Sequence, residues 1–480
     1  MKKIVFISGR FNVIHPGHLR LLRFAKKMGD HLIVGLESDK LAKEEAYVSE
    51  SLRLEGLKSN IWVDEVVLMK DSLSKTIKKI KPQIIVKGKE HEEKFNIEKK
   101  IVEKYGGKLF FSSGENLFSS LDIIKKEIYQ TNHKTIKFPK KYIKRHNIKK
   151  SALKEVIKNF STLNVCVIGD LIIDEYITCE PLGMSQEDPT IVVTPIDKLK
   201  FLGGAGIVAA HASGLGAKVD LYSVIGNDKL SSYIDKKVKQ FKINSYIYKD
   251  ESRPTTYKQK FRNSDKTIFK VNHLHQTPIN KTLQNIIFKS IKKKISKYDL
   301  ILFSDFNYGA LPQELVDRII KLSKKNKVMI CADSQSSSQI GNISRFIGVD
   351  LLTPTEREAR LSMHNNEDGL VVLVEKLRKK SLANNILLKL GQEGLLIHTG
   401  KPKKSKWLTD RIDRMNLHPK DISGAGDCLF IASSMAKVLG ANIWETALFG
   451  SLAAAIQVSR TGNTPLQFKE FSLEINQLEE

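Results

Sequence analysis

Short apolar runs alternate with amphipathic stretches along most of the chain. Residues 3–9 (KIVFISG) make a run of strand length, and 17–29 follow with Leu19, Leu22, Ala25 and Met28 on one helical face. Further strand-like runs fall at 31–38, 62–69, 84–88 and 108–113, with a helical pattern at 95–105. Strands alternating with helices predict a mostly parallel sheet covered on both faces. This first unit is expected over residues 1–127. A polar, basic stretch at 128–160, with Pro139 and a short helical pattern at 151–159, is the expected linker. The rhythm restarts at 163 (LNVCVIGD) and returns from 298 through YDLILFSD, KVMICAD, VDLLTPT and NILLKLG, ending in apolar helices at 424–438 and 445–458. Between these, 190–196 and 255–272 alternate like antiparallel strands outside the main sheet. A second open α/β sheet carrying a small lid is therefore expected over 161–470. No internal repeat is evident.

Composition changes this picture little. At 480 residues, 41% hydrophobic and 28% charged, the chain is globular and long enough for two or three cores. Cys166, Cys179, Cys331 and Cys428 are scattered, a poor disulfide framework and a poor zinc site, which fits a reducing, cytoplasmic setting. The opening apolar run is broken by Gly9, Arg10, Asn12 and His15, unlike an export signal, and no stretch approaches the length of a membrane span. The net charge of +26 is spread over nearly every predicted helix. Its one concentration, Lys134–Lys150, is read as a solvated connector rather than a nucleic-acid, membrane or partner contact.

Two strings carry chemistry. In S-G-R-F-N-V-I-H-P-G-H (residues 8–18), His15 and His18 stand three apart, directly after the first strand. That is where a parallel sheet presents a ligand to the next helix N-terminus and its free N–H groups. Both imidazoles are candidates to hydrogen-bond phosphoryl oxygens as pyrophosphate leaves. Strand, glycine, HxGH and helix in register argue against two surface histidines capping a turn. In D-I-S-G-A-G-D (421–427), Gly424, Ala425 and Gly426 open a helix whose amides make an anion hole, and Asp427 follows as candidate general base.

The first string resembles the G-x-F-(D/N)-x-x-H-x-G-H signature of the cytidylyltransferase-like nucleotidyltransferases, matched by Gly9, Phe11, Asn12, His15, Gly17 and His18. The resemblance implies a Rossmann-like domain in which Gly9, Phe11, Gly17, Lys43, Arg53, Ser119 and Ser120 meet nucleotide or phosphate. Asn12 stands where the family usually has Asp. The second string, with VIGDLIIDEY, LGGAG, LLTPTEREA and LLKLGQEGLL, resembles the PfkB/ribokinase carbohydrate kinases over nearly all of 163–465. That resemblance implies a ribokinase-like α/β domain with a β lid. In it Asp170, Asp174, Gly203, Gly204 and the lid residue Lys270 contact sugar, while Glu358, Lys389, Gly391 and residues 424–426 contact nucleotide or phosphate. It departs from the heptose-phosphate kinases at Ile207, Tyr308, Gln335 and Thr355, with Lys258, Lys260 and Lys270 as candidate compensating charges.

Together the halves resemble the bifunctional enzymes of ADP-heptose synthesis with the domain order reversed. The resemblance implies a homodimer that uses ATP and Mg2+ and takes a sugar phosphate, with CTP the alternative nucleotide of the first domain. No residue is assigned as a metal ligand. Another sugar or polyol acceptor, and an inactive-kinase scaffold beside an active transferase, remain as alternatives.

Overall fold

The structure, a computed structural model, describes residues 3–14, 16–42, 45–88, 96–112, 136–263, 266–336, 340–400 and 408–478. It divides into two compact units, Met1–Lys134 and Thr135–Glu480.

The first unit is built on five parallel strands, β1 (Ile4–Gly9), β2 (His31–Glu37), β3 (Glu65–Met69), β4 (Ile84–Gly88) and β5 (Lys108–Ser112), in the order β3-β2-β1-β4-β5. Period-two alternation sorts the side chains. Val5, Ile7, Leu32, Val34 and Val86 enter one core with Leu22 and Leu57, while Phe6, Ile33 and Ile85 enter another with Ile77 and Val102. The order reverses at β1, so the connections after β1 and β4 diverge and open a crevice at their carboxyl ends. The helix Pro16–Lys26 begins beside that crevice.

The second unit has a nine-stranded sheet. Its strands are β6 (Asn164–Gly169), β9 (Lys218–Ile225), β10 (Asn244–Lys249), β13 (Leu300–Asp305), β14 (Met329–Ser334), β15 (Leu351–Leu352), β16 (Asn385–Lys389), β17 (Leu395–Thr399) and β18 (Thr409–Ile412). The order is β10-β9-β6-β13-β14-β15-β16-β17-β18, parallel as far as β16 and antiparallel beyond. The helices Ala205–Gly214, Ala425–Val438 and Ile443–Gln457 are apolar almost all round because they lie within one core, and the other face carries a second core. A separate four-stranded lid has the order β12-β11-β7-β8, with β7 (Leu171–Met184), β8 (Ile191–Gly204), β11 (Thr256–Asn263) and β12 (Lys266–His273). The predicted lid segments are therefore present, 190–196 within a longer β8, but β11 pairs β7 in parallel, not antiparallel as expected.

The stretch expected as a solvated linker differs over its described part. From Ile136 onward it belongs to the second unit: Ile136, Tyr142, Ile148, Leu153, Ile157 and Phe160 are buried in that unit's core. Lys137 N–H donates to the Met415 carbonyl (2.8 Å), and Tyr142 Oη donates to the Trp444 carbonyl (2.9 Å). Arg145 and His146 meet Asp410 at 2.7 and 2.6 Å, and the His146 ring stacks on Trp444 at 4.1 Å. The lysines face outward while apolar residues at helical spacing face in, so charge density hid an amphipathic element. Truncating Tyr142 to alanine is expected to lower the unfolding free energy of this unit by about 3–5 kcal/mol. Urea denaturation of the full chain measures this, and an unchanged midpoint would mean the segment is not part of the core.

Candidate active site

In the first unit β1 ends at Gly9, and the chain turns through Phe11, which has left-handed backbone (φ 46°). Phe11 is buried in the core, so its ring is a structural wedge rather than a nucleotide contact. A Cβ on Gly9 would press on that ring at 3.2 Å. The Phe11 ring also lies 5.0 Å from His18, whose Nδ1 is 3.1 Å from the Val13 carbonyl, orienting the imidazole at the start of the helix. Gly17 lies in the same first turn.

Arg53 departs from expectation. Only 2% exposed, its guanidinium donates to the carbonyls of Val48 (2.7 Å), Arg10 (2.7 Å) and Glu37 (2.9 Å) and to Asp39 Oδ1 (2.6 Å). It ties the loop after β1 to the end of β2 instead of facing a phosphate. Asn12 is likewise buried, with Nδ2 donating to the Glu45 carbonyl (2.8 Å) and Oδ1 accepting from Tyr47 N–H (3.0 Å). An aspartate supplies only the second of these bonds. His15, Lys43, Ser119 and Ser120 lie outside the described residues.

In the second unit the loop 421–424 leads into the helix Ala425–Val438. Gly424 adopts φ 77°, and a Cβ there would fall 1.8 Å from Asn463 Oδ1. Asp421 holds the loop by accepting from the N–H groups of Ser423 (3.0 Å) and Gly462 (3.0 Å) and from Tyr176 Oη (3.1 Å). Burial works against its charge, but these donors outweigh burial and keep its pKa below the ordinary value. Gln457 Nε2 donates to the Ser423 and Gly462 carbonyls at 3.2 and 2.8 Å, fastening the same loop from beneath.

Asp427, in the first turn of the helix, is 6% exposed and accepts from Gln335 Nε2 (3.0 Å). Burial, with Asp333 close by, pushes its pKa up to about 7 against the pull of Lys389. Lys389 Nζ bonds Asp333 Oδ1 at 2.8 Å, and Thr353 Oγ1 donates to the same oxygen. Burial opposes the charge of Lys389, yet Asp333 and Glu358 hold its pKa above the ordinary value. Thr355 caps the helix Glu356–Met363 in a reciprocal box with Glu358, whose carboxylate also accepts from Ser336 N–H (3.1 Å).

One cavity of about 600 Å³ brings these groups together. It is lined by residues 424–427, Lys389, Gly391, Glu358, Thr355 and Gln335 on the sheet side, and by Asp174, Lys258, Lys260, Lys270 and Asn272 on the lid side. Gly204 (φ 56°) also lines it, and a Cβ on Gly203 would fall 2.3 Å from Asp174 Oδ2, so that glycine makes room for the aspartate. Asp170, expected to contact sugar, does not line the cavity and instead pins the chain between β6 and β7. It accepts from the N–H groups of Phe306 (2.8 Å), Tyr308 (3.2 Å) and Ala310 (3.1 Å), and its carbonyl accepts from Ala205 N–H. Ile207 is fully buried in the core, away from the cavity, and Tyr308 packs with Phe306 and Ile172. The pattern did not single out Gln457 or Asn463; a lone amide ending an apolar helix is a faint sign at most.

A buried carboxylate beside the first amides of a helix, in a lidded cavity on an α/β sheet, is the arrangement of an α/β phosphotransferase. The chain belongs to the pfkB family of carbohydrate kinases, which it matches over residues 162–468, while residues 6–137 match the cytidylyltransferase-like family. Among curated relatives it is similar to the bifunctional protein HldE of Sulfurimonas denitrificans (29% identical over 321 residues; 66% of this chain, 65% of the relative). The bifunctional protein HldE of Helicobacter hepaticus is 29% identical over 310 residues, 62% of this chain and 61% of that protein. These alignments span less than two thirds of either relative's length. The fold matches the ribokinase of Arabidopsis thaliana complexed with ribose and ATP (18% identical, TM-score 0.52, covering 66% of this chain and 99% of that one). It also matches Escherichia coli phosphofructokinase-2 in complex with potassium (12% identical, TM-score 0.53, 65% and 98%).

Asn12→Asp removes the donor to Glu45 and sets a carboxylate against a carbonyl. It is expected to destabilise the first unit by about 1–3 kcal/mol. A thermal melt at neutral pH checks this, and an unchanged or higher midpoint would contradict the pinning role.

Proposed function

We propose that the second unit phosphorylates a sugar phosphate at its anomeric hydroxyl and that the first couples the resulting 1-phosphate to a nucleotide, making ADP-D-glycero-D-manno-heptose-type precursors. The observation that carries the kinase step is Asp427 lining the cavity in the same first helical turn as the amides of residues 424–426. The acceptor oxygen bonds the γ-phosphorus as the bond to the β–γ bridging oxygen breaks. The hydroxyl proton passes to Asp427, and ADP leaves. The amides stabilise charge on the phosphoryl oxygens, and Lys389, on the nucleotide side, adds a fixed positive charge. Mg2+ bound to ATP neutralises phosphate charge; Glu358 and Asp333 are the nearby carboxylates suited to meet it through water. Among the described residues no three His, Cys, Asp or Glu side chains converge as a metal site.

In the first unit, His18 at the helix start is suited to hydrogen-bond a leaving pyrophosphate, with His15 assigned the same task from the sequence motif. That these relatives are bifunctional proteins supports pairing the two steps. The cytidylyltransferase-like match keeps CTP as the alternative to ATP there. We assign the protein to the cytoplasm, supported by four unpaired buried cysteines. Among the described residues no helix is long and apolar enough to cross a membrane. A homodimer through the lid is supported by exposed Leu182, Met184, Ile191, Ile196 and Leu199 on β7 and β8.

A base with a pKa raised to about 7 is protonated below that value, so kinase turnover should rise as pH increases through about 7 and then level off. Asp427→Asn should lower kcat by at least about 100-fold with little change in the KM for ATP. Coupled-assay pH profiles test both. A rate flat from pH 6 to 8, or an active Asp427→Asn enzyme, would remove the base assignment. Independently, His18→Ala should slow pyrophosphate release.

A further inference from the structure

The helices Ala205–Gly214, Ala425–Val438 and Ile443–Gln457 are apolar almost all round, yet a polar chain runs between them and ends on the loop before Asp427. It consists of His211, Cys428 and Gln457, one from each helix and all fully buried. Its hydrogen bonds run in one direction. Leu466 N–H donates to His211 Nδ1 (3.0 Å), so the ring proton sits on Nε2, which lies 3.2 Å from Cys428 Sγ. Burial, with Arg460 nearby, pushes the pKa of His211 down to about 3, so the ring is neutral and has one proton to donate. Burial raises the pKa of the Cys428 thiol, which keeps its own proton and faces Gln457 Oε1 at 3.8 Å. That fixes the amide. With its oxygen turned to the thiol, Nε2 donates to the Ser423 and Gly462 carbonyls at 3.2 and 2.8 Å. Flipped, the same amide would set its oxygen against two carbonyl oxygens.

Ser423 and Gly462 are also the two residues that Asp421 holds by their N–H groups. Each is therefore gripped twice, by a carboxylate at its N–H and by the Gln457 amide at its carbonyl. Ser423 immediately precedes the left-handed turn at Gly424, and Gly462 precedes Asn463, against which that turn packs. The direction of the first helical amides thus depends on side chains set back from the reaction, since none of His211, Cys428 and Gln457 lines the cavity. For burial alone an apolar side chain would suit position 457 better in this core. What the amide adds is two aimed donors for carbonyls that have no water to turn to.

We propose that His211, Cys428 and Gln457 are positioning residues for phosphoryl transfer, a one-way chain of donors that aims the amides of residues 424–426 at the transferring phosphoryl group by holding the Ser423 and Gly462 carbonyls. This rests on the reading of the Asp427 cavity as the kinase site and gives a task to three residues outside it. The chain needs a proton on residue 428, not merely its bulk. Serine there keeps a donor and an acceptor, whereas alanine, of nearly the same size, keeps neither.

The test uses the full chain with Mg2+ and two nucleotides: the imido analogue of ATP, which carries the phosphoryl group to be transferred, and ADP, which lacks it. Binding is read by calorimetry, and transfer by ADP release from ATP across a panel of free and phosphorylated sugars. Gln457→Met should weaken the ATP analogue by about 10–30-fold and Cys428→Ala by about 5-fold, with ADP held within about twofold. Cys428→Ser should bind both nucleotides as the wild type does. Equal weakening of both nucleotides would mark general loosening of the fold and overturn the positioning role, as would a Gln457→Met protein with wild-type affinity for the analogue. Serine at position 428 behaving like alanine would likewise overturn the chain, and this comparison decides alone if Gln457→Met does not fold. The expected binding pattern without transfer to any sugar would uphold the chain and remove the kinase reading. Transfer by Gln457→Met at the wild-type rate would overturn the chain and spare that reading, and a wild type that binds neither nucleotide would overturn both.

Discussion

The kinase cavity depends on one half-buried carboxylate, Asp421. Asp421 ties Ser423 and Gly462, distant in sequence, into a single loop, and the left-handed turn at Gly424 then swings the chain into the helix that bears Asp427. Burying an ionised aspartate is costly unless hydrogen bonds compensate, and each bond to a charged group contributes about 1.5–3 kcal/mol. Two N–H groups, the Ser423 side chain and the Tyr176 hydroxyl together hold the pKa of Asp421 below the ordinary value. Asp427, nearby but more deeply buried and facing Asp333, goes the other way despite the Gln335 amide, and is raised to about 7. Two aspartates in one seven-residue string thus take opposite states, one anchoring the loop and the other able to exchange a proton.

The lid shares this anchor. Tyr176, which donates to Asp421, lies under Lys260 and Arg262, so lid and loop meet through one aromatic ring. At its base the lid leaves the main sheet through Asp170, clamped by the amides of residues 306–310, and returns through Gly204, whose backbone (φ 56°) few other residues adopt readily. Rigid attachment at one end and a ligand-facing row of cations at the other suit an element that moves as a body over its substrate.

Both α/β rhythms and both phosphate-directed strings were legible because apolar strand runs, glycine-opened helices and adjacent acid or imidazole groups are local patterns. Residue direction was not. Asp170 and Asp174 look alike after a strand, yet one is consumed by backbone amides more than a hundred residues away and the other faces the cavity. Arg53 reads as a phosphate ligand until its four backbone and carboxylate partners are seen. The segment 136–160 reads as linker because lysines dominate its composition, while what fixes it is the inward row of Tyr142, Leu153 and Ile157. Substitutions that seemed to weaken the acceptor pocket also changed meaning: Ile207 is core, Tyr308 is the platform under Lys258, and Gln335 bonds Asp427.

The central claim is sequential chemistry on one chain, and mass spectrometry of a single reaction tests it most directly. The full-length protein would be incubated with D-glycero-D-manno-heptose 7-phosphate, ATP and Mg2+, and a 7-phosphate-specific phosphatase then added. The account predicts a heptose bisphosphate first, and ADP-heptose with pyrophosphate once the phosphatase is present. ATP left intact beside unmodified heptose 7-phosphate would contradict it.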